Sequence, residues 1–199
     1  MKVIVLSGFL GSGKTSALLS LAAHLLPEGC GRGTRLVVIE NEVGDVGIDD
    51  TMIAQAGFDV KTLLAGCICC TLATDLITTL NDVYARYRPD YVIFEPSGIA
   101  YPERIVKGVS NYASGIDWIR QITVIDARRW RRIHAAMPAL AEGQIQGARL
   151  LLLNKCDMAD EDEIAWAERD LHGIAPDLPI RRVCASHGVD GNIWREFLG

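Results

Sequence analysis

Short apolar runs alternate along the chain with longer stretches in which apolar positions recur every three or four residues. Runs such as 150–153, four consecutive leucines, are typical of parallel strands that are buried on both faces. Strands are therefore predicted at residues 2–7, 35–40, 58–64, 91–95, 118–126, 150–154 and 180–183. Helices are predicted at residues 14–26, 71–87, 101–109, 127–136, 160–171 and 191–198, with one helical turn at 51–56.

This alternation of strands and helices predicts an open, mostly parallel sheet with helices on both faces. Pro138 is expected to stop the helix at 127–136, and Asp160 with Glu163 forms the pattern of a helix-capping box. Neither a repeat nor a linker divides the sequence. We therefore expect a single domain over residues 1–199.

The composition, with 49% hydrophobic and 23% charged residues, is that of an ordinary globular chain of 199 residues. A formal net charge of −5 disfavours nucleic acid and membrane surfaces as partners. No apolar run reaches the roughly 18 residues of a membrane helix. The apolar start leads into a glycine-rich motif without a cleavage site, so we expect a buried strand and a cytoplasmic protein.

A phosphate-binding motif lies between the first predicted strand and the first predicted helix. Residues 8–15, GFLGSGKT, match the pattern G-x-x-x-x-G-K-[ST]. Lys14 is expected to bridge the β- and γ-phosphates, and the Thr15 hydroxyl to bind Mg²⁺. The alternative, a chance glycine-rich turn, does not explain the strand and helix that flank it. The motif predicts an α/β fold of the P-loop NTPase class. The nucleotide-binding residues expected here are Gly8, Gly11, Ser12, Gly13, Lys14, Thr15 and Ser16.

A second motif, NKCD at 154–157, follows the apolar run 150–153 and matches the N-K-x-D pattern of GTPases. The Asp157 carboxylate can accept hydrogen bonds from N1–H and the 2-amino group of guanine, a donor pair that adenine lacks. Asn154 would support the loop and face the base, and the stem of Lys155 would cover the ring. The backbone N–H of Ala185 would reach guanine O6. The alternative for Asp157 is a simple turn residue.

Acidic residues end two other predicted strands. Glu95 is expected to support Mg²⁺, and the Gly98 N–H to sense the γ-phosphate. The acidic, glycine-rich loop at 41–49 suits a nucleotide-sensing switch. Within it, Asp49 or Glu42 is a candidate for orienting the attacking water, and Glu42 is also a candidate metal ligand. The alternative for each acid is a solvated side chain.

Three of the six cysteines, Cys67, Cys69 and Cys70, lie within four residues. Thiolates grouped in this way suit Zn²⁺, Co²⁺, Ni²⁺, Fe²⁺ or Cu⁺ better than Mg²⁺. Three ligands leave an open coordination position, which suits a metal that is handed on. Buried small side chains and a redox pair of vicinal thiols are the alternatives. The other cysteines, together with the dispersed histidines and the arginines at 128–132, are interpreted as structural, incidental or solvated. They are Cys30, Cys156 and Cys184, and His24, His134, His172 and His187.

Together these motifs resemble the CobW/HypB/UreG metallochaperone GTPases, and within them the CobW branch. The matching segments, in the family's order, are 8–15 (GFLGSGKT), 40–44 (ENEVG), 47–49 (GID), 66–70 (GCICC), 95–98 (EPSG), 123–127 (TVIDA) and 153–157 (LNKCD). Two departures stand out. Many relatives continue into a C-terminal domain, which is not expected in residues 1–199, and Tyr101-Pro102 stands where Asp-Pro is frequent.

The resemblance implies a Mg²⁺-dependent GTPase that binds a transition metal, Zn²⁺, Co²⁺, Ni²⁺ or Fe²⁺, at Cys67, Cys69 and Cys70 and delivers it to a client metalloenzyme. It also implies a nucleotide-dependent homodimer. Slow intrinsic hydrolysis is expected, because no arginine finger or strong water-activating group stands out. Three alternatives remain open. They are a GTPase switch that gates a cofactor-dependent enzyme and has structural cysteines, a small-molecule kinase, and a nucleotide-regulated thiol redox protein.

Overall fold

The computed structural model describes residues 1–26, 34–40, 73–96 and 98–199. Its strands are β1 (Lys2–Ser7), β2 (Leu36–Glu40), β3 (Tyr91–Glu95), β4 (Trp118–Asp126), β5 (Ala148–Asn154) and β6 (Ile180–Arg182). Its helices are α1 (Lys14–Leu25), α2 (Ala73–Tyr87), α3 (Pro102–Tyr112), α4 (Trp130–Ala136), α5 (Pro138–Ile145), α6 (Glu161–Ile174) and α7 (Gly191–Leu198). A 3₁₀ turn at Ala185–His187 follows β6.

All six described strands are parallel and form one sheet in the order β2-β3-β1-β4-β5-β6. The chain moves outward from β1 to β2 and later crosses to β4 on the other side of β1. In sheets of this kind, ligands bind at the carboxyl ends of the strands where the direction of winding changes. The ends of β1, β3, β4 and β5 meet at this edge, and the register pairs Asp126 with Asn154 there.

Both faces of the sheet are buried, as the apolar runs predict. In β1, Ile4 and Leu6 pack on the face that is covered by α1 and α7, whereas Val3 and Val5 pack on the opposite face. The leucines of β5 divide in the same way between the two faces. Trp194 of α7 is fully buried on the first face. This confirms the predicted α/β sheet with helices on both faces.

Most predicted elements are confirmed, with ends that shift by a few residues. The capping box is present, since Asp160 Oδ1 accepts from the Glu163 N–H at 2.7 Å and Glu163 Oε2 accepts from the Asp160 N–H at 3.2 Å. One prediction is incomplete at Pro138, which follows the end of α4 but also begins the unpredicted helix α5. Proline is well suited to a first helical position, because its missing N–H would have no partner there.

The predicted helix at 127–136 begins later than expected, at Trp130. Asp126 Oδ1 instead accepts the N–H groups of Arg128 and Arg129, at 3.1 and 3.3 Å, and so holds these residues in a turn. The loop at 41–57, the helical turn at 51–56, the strand at 58–64 and the start of the helix at 71 lie outside the described residues. Among the described helices, none combines the length and apolar character that crossing a membrane requires.

Candidate functional site

The phosphate loop leaves the carboxyl end of β1 and adopts a conformation that requires glycine. Gly8 has φ +137°, and a Cβ atom added there would lie 2.2 Å from the carbonyl oxygen of Val124. Gly13 has φ +100°, and a Cβ atom there would lie 2.2 Å from Nδ2 of Asn154. Only glycine avoids both the strain and the collision. These glycines therefore bring the loop into close contact with β4 and β5.

Two features of this loop fit the phosphates of a nucleotide. The Ser12 hydroxyl is buried, and within the described residues it has no hydrogen-bond partner. The loop also leads directly into α1, whose N-terminus carries a partial positive charge. An anion with several acceptor oxygens would satisfy the Ser12 hydroxyl and the N–H groups at the start of the helix.

Lys14 holds its ammonium group inside the loop. The side chain is 7% exposed, and Nζ lies 3.4 Å from the carbonyl oxygen of Phe9 and 3.3 Å from Oε1 of Glu95. The predicted phosphate-binding cation and the predicted Mg²⁺-supporting acid are thus an ion pair in this structure. Thr15, the predicted Mg²⁺ ligand, lies in the first turn of α1 beside Lys14. Hydroxyl and carboxylate oxygens are suitable Mg²⁺ ligands, so this donor set fits the ion.

Gly98 lies directly against the phosphate loop. A Cβ atom on Gly98 would be 2.9 Å from the backbone nitrogen of Leu10 and 3.3 Å from the carbonyl oxygen of Gly8. The backbone at Gly98 therefore packs on the phosphate loop, and the sensing of the γ-phosphate by its N–H stays a prediction.

Gln144, which the sequence analysis did not single out, joins the phosphate loop to this segment. Its Oε1 accepts from the Gly8 N–H at 3.1 Å, and its Nε2 donates to the carbonyl oxygen of Ala100. The backbone oxygen of Gln144 accepts in turn from the Thr123 hydroxyl at 2.7 Å. The side chain is buried at 1% exposure. No local pattern indicates this role, because Gln144 is 136 residues from Gly8.

Asn154, the first residue of the N-K-x-D motif, links two other parts of the site. Its Nδ2 donates to the carbonyl oxygen of Ser12 at 2.8 Å, and its Oδ1 accepts from the Ala185 N–H at 2.8 Å. Asn154 therefore joins the phosphate loop to the turn at Ala185, and its expected role beside the base stays a prediction. The Ala185 N–H, which the sequence assigns to guanine O6, is engaged by Asn154 here.

Lys155 has an uncommon backbone conformation, and two hydrogen bonds hold its ammonium group in place. It has φ +63°, a left-handed conformation that is uncommon for lysine. Its Nζ donates to the carbonyl oxygen of Gly11 at 2.6 Å and to Oδ2 of Asp126 at 2.8 Å. Asp126 is buried and therefore anchors the motif to the end of β4. It lies in the matched segment 123–127, but it was not predicted to be a site residue.

Arg129 is exposed, as expected for the solvated residues 128–132, but it precedes the helix and also contacts the phosphate loop. Its Nη1 donates to the carbonyl oxygen of Leu10 at 3.0 Å, across 119 residues of sequence. Leu10 itself is 83% exposed at the tip of the phosphate loop. Arg129 thus places a permanent positive charge at that tip.

Asp157 lies at the exposed end of the N-K-x-D motif, beside two residues that the sequence analysis considered incidental. The Cys184 thiol donates a hydrogen bond that lowers the pKa of the Asp157 carboxyl, and the charge of His187 lowers it further. Cys184 Sγ is 3.2 Å from Nδ1 of His187. One ligand atom from each of the three residues lies within 4.8 Å of the others. We call these three residues the Asp157 cluster.

The predicted transition-metal ligands Cys67, Cys69 and Cys70 lie outside the described residues, as do Glu42 and Asp49. The roles of these five residues stay predictions. The expected role of the loop at 41–49 as a nucleotide-sensing switch also stays a prediction.

A sheet of this order, a phosphate loop after β1 and an N-K-x-D motif after β5 define a P-loop GTPase domain. The model of the CobW/HypB/UreG nucleotide-binding domain matches residues 2–182. The chain therefore belongs to the CobW/HypB/UreG family. Both the predicted fold class and the resemblance to this family are confirmed.

Named relatives agree with this assignment. The chain is 31% identical over 192 residues to the zinc chaperone YeiR of Escherichia coli, covering 95% of this chain and 56% of YeiR. It is 27% identical over 221 residues to zinc-regulated GTPase metalloprotein activator 1 of Dictyostelium discoideum, covering 92% and 45% of the two chains. The crystal structure of Zn(II)-bound YjiA GTPase from E. coli superposes with a TM-score of 0.59 at 24% identity, covering 96% and 59%. The chain spans about half the length of the curated relatives.

Proposed function

We propose that this chain binds GTP with Mg²⁺, hydrolyses it slowly, and uses the nucleotide cycle to hold and deliver a transition-metal ion to a client metalloenzyme. The observation that carries the nucleotide part is the double hydrogen bond of Asn154, to Ser12 and to Ala185. These bonds join the phosphate loop to the base-reading motif and to the turn at Ala185. The zinc chaperones among the relatives support the metal part and favour Zn²⁺ as the cargo.

Recognition of the base rests on Asp157. Its carboxylate is exposed and has a lowered pKa, so it is ionised at neutral pH and accepts from both guanine donors. Adenine would leave the carboxylate without that donor pair and is therefore disfavoured. The Lys155 ammonium bonds Gly11 and Asp126, which supports the proposal that its stem would cover one face of the base.

Phosphate binding rests on Lys14 and on the N–H groups of the loop. The Lys14 ammonium would exchange Glu95 for the β- and γ-phosphates. Glu95 and Thr15 would then hold Mg²⁺, which neutralises phosphate charge when it is bound. Gly98, which packs on the loop, would sense the γ-phosphate. Gln144 would transmit the position of the phosphate loop to Ala100, to which it donates a hydrogen bond.

Metal binding is assigned to Cys67, Cys69 and Cys70, with Glu42 as a candidate fourth ligand. In sequence, these cysteines lie between the loop at 41–49 and the segment 95–98 that contacts the phosphate loop. GTP would order both segments and gather the thiolates, and hydrolysis would release them. Asp49 or Glu42 would orient the attacking water, and a nucleotide-dependent homodimer would present the metal to its client.

The nucleotide assignment can be tested by comparing GTP with ATP and by changing one residue. The full chain should bind GDP and GTP at least about a hundredfold more tightly than ADP and ATP. Asp157→Asn replaces the carboxylate oxygen that would accept from the guanine 2-amino group with an NH₂ donor. It should weaken GDP binding and favour xanthosine diphosphate, whose base carries an acceptor oxygen in place of the 2-amino group. Equal binding of adenine and guanine nucleotides would overturn the assignment.

A further inference from the structure

The Asp157 cluster brings together three side chains that are typical zinc ligands. A thiol, an imidazole and a carboxylate contribute one ligand atom each, all within 4.8 Å of one another. Cys184 directly precedes the 3₁₀ turn that ends at His187, which gives the spacing C-x-x-H, and Asp157 comes from the loop after β5. The Asp157 and His187 side chains are exposed, so an ion can enter from solvent.

The geometry requires little adjustment to accept a metal. In a tetrahedral zinc site with bonds of about 2.0–2.3 Å, neighbouring ligand atoms lie about 3.5 Å apart. Cys184 Sγ and His187 Nδ1 are already 3.2 Å apart. The remaining pairs, which lie within 4.8 Å, need to close by at most about 1.3 Å to reach about 3.5 Å, which rotation of exposed side chains can supply. Water would complete the fourth position.

Charge also favours a cation at this place. Asp157 is an anion whose partner in this cluster is the thiol proton of Cys184. A divalent metal would displace that proton to solvent and bind the resulting thiolate. The ion would then interact with two anionic ligands and one neutral imidazole.

We propose that the Asp157 cluster is a second transition-metal site, suited to Zn²⁺ or a similar borderline divalent ion, and that metal bound there excludes guanine. This inference rests on the proposed function, because it takes Asp157 as the guanine-reading residue. Guanine needs both carboxylate oxygens, one for N1–H and one for the 2-amino group. A metal that occupies one oxygen and places positive charge beside the base removes that pair.

The two metal sites should therefore affect nucleotide binding in opposite directions. Metal on the Asp157 cluster should compete with guanine nucleotide, whereas metal on the three cysteines should favour GTP. For exclusive binding, a free metal concentration ten times its own Kd raises the apparent Kd of GDP about elevenfold. Excess free metal would thereby stop loading of the GTPase.

The test uses the full chain carrying Cys67→Ser, Cys69→Ser and Cys70→Ser, which removes the first metal site. Co²⁺ is titrated anaerobically into the nucleotide-free protein, and the thiolate-to-cobalt charge-transfer band is recorded. Further variants add Cys184→Ser or His187→Ala, with Cys156→Ser as the matched cysteine control. Circular dichroism checks that each variant is folded.

We expect one Co²⁺ per chain, a band that Cys184→Ser abolishes, weaker Co²⁺ binding with His187→Ala, and no change with Cys156→Ser. GDP should remove the band. ADP chelates metal through the same phosphates and therefore serves as the control for chelation; at the same concentration it should leave the band in place. A band that persists in the Cys184→Ser variant, or Co²⁺ binding that His187→Ala leaves unchanged, would overturn the site. A band unaffected by saturating GDP would overturn the exclusion.

Direct binding of fluorescent GDP to the metal-free protein separates this inference from the proposed function. If GDP does not bind, the nucleotide assignment fails, whereas the cobalt band alone decides the metal site. If GDP binds, His187→Ala should bind it as the parent does without metal and should resist inhibition by Zn²⁺. Equal inhibition of both proteins would contradict the inference.

Discussion

The ammonium nitrogen of Lys14 lies 3.3 Å from Oε1 of Glu95, so the cation expected to bind phosphate is paired with the acid expected to support Mg²⁺. Both side chains are largely buried, at 7% and 18% exposure, which limits screening by solvent. Nucleotide and Mg²⁺ would replace this ion pair with two new contacts, one between Lys14 and the phosphates and one between Glu95 and Mg²⁺. We therefore expect this ion pair to be present without nucleotide and to be replaced when nucleotide and Mg²⁺ bind.

Glu95→Gln tests this exchange. Without the carboxylate, Lys14 is freed for phosphate, so GDP affinity measured without Mg²⁺ should rise by up to about tenfold. The Mg²⁺ dependence of binding should shrink, and GTP hydrolysis should fall on the order of a hundredfold, the size typical of one lost electrostatic contact. Glu103→Gln removes an acid that pairs with Lys107 and serves as the control. An unchanged Mg²⁺ requirement would contradict the exchange.

Gln144→Met tests the link between the phosphate loop and the segment at Ala100. The change keeps the side-chain volume but leaves the Gly8 N–H without its acceptor. The free energy of unfolding should fall by about 1–3 kcal/mol, and GTP affinity should fall with it. Urea denaturation and nucleotide titration measure the two effects. Gln146→Met, at an exposed position two residues along, should change neither, and equal effects of the two variants would disprove the link.

Gly13→Ala tests the close approach of the phosphate loop to β5. The added methyl would meet Asn154 Nδ2 at 2.2 Å, and alanine would also have to adopt φ +100°. Loss of nucleotide binding and a lower Tm are expected. Gly173→Ala, in α6 with open space around the position, should raise stability by about 0.5–1 kcal/mol. Wild-type GDP affinity in Gly13→Ala would show that the loop does not need this conformation.

The ion pair between α6 and β6 gives a pH-dependent contribution to stability. The Arg182 guanidinium, at 2.7 Å, lowers the pKa of Glu168. A carboxyl with a lowered folded pKa stabilises the fold above its unfolded pKa of about 4.3, and this effect disappears as the pH falls through the folded pKa. Glu168→Gln should thus lower Tm slightly at pH 7, with the two proteins converging in acid. A difference in Tm that does not depend on pH would contradict the ionic contribution.

The main fold features were predictable because their signals are local. Four consecutive leucines at 150–153 can only be buried if both faces of the sheet are covered, and the structure places them on the two faces in turn. Asp160 and Glu163 are three residues apart and cap α6 as their spacing predicts. Helix α5 was missed because proline was interpreted only as a stop signal, although it also begins helices.

The contacts that complete the site were not predictable, because they join residues distant in sequence. Gln144 reaches Gly8 and Arg129 reaches Leu10 through the packing of α5 and of the turn before α4 against β1 and β4. Arg129 has the same charge as its solvated neighbours, so its residue type gives no distinguishing signal. Cys184 and His187 do carry a signal, the spacing C-x-x-H, but their approach to Asp157 depends on the register of β5 and β6.

Control of metal binding by GTP can be tested by measuring Zn²⁺ affinity anaerobically with Mg²⁺ and either GDP or a non-hydrolysable GTP analogue. His187→Ala is used to weaken the Asp157 cluster. We expect one Zn²⁺ per chain, bound much more tightly with the analogue, and loss of that difference in the Cys67→Ser, Cys69→Ser, Cys70→Ser variant. Zinc affinity that is the same with both nucleotides would contradict the claim and favour a GTPase switch whose cysteines are structural.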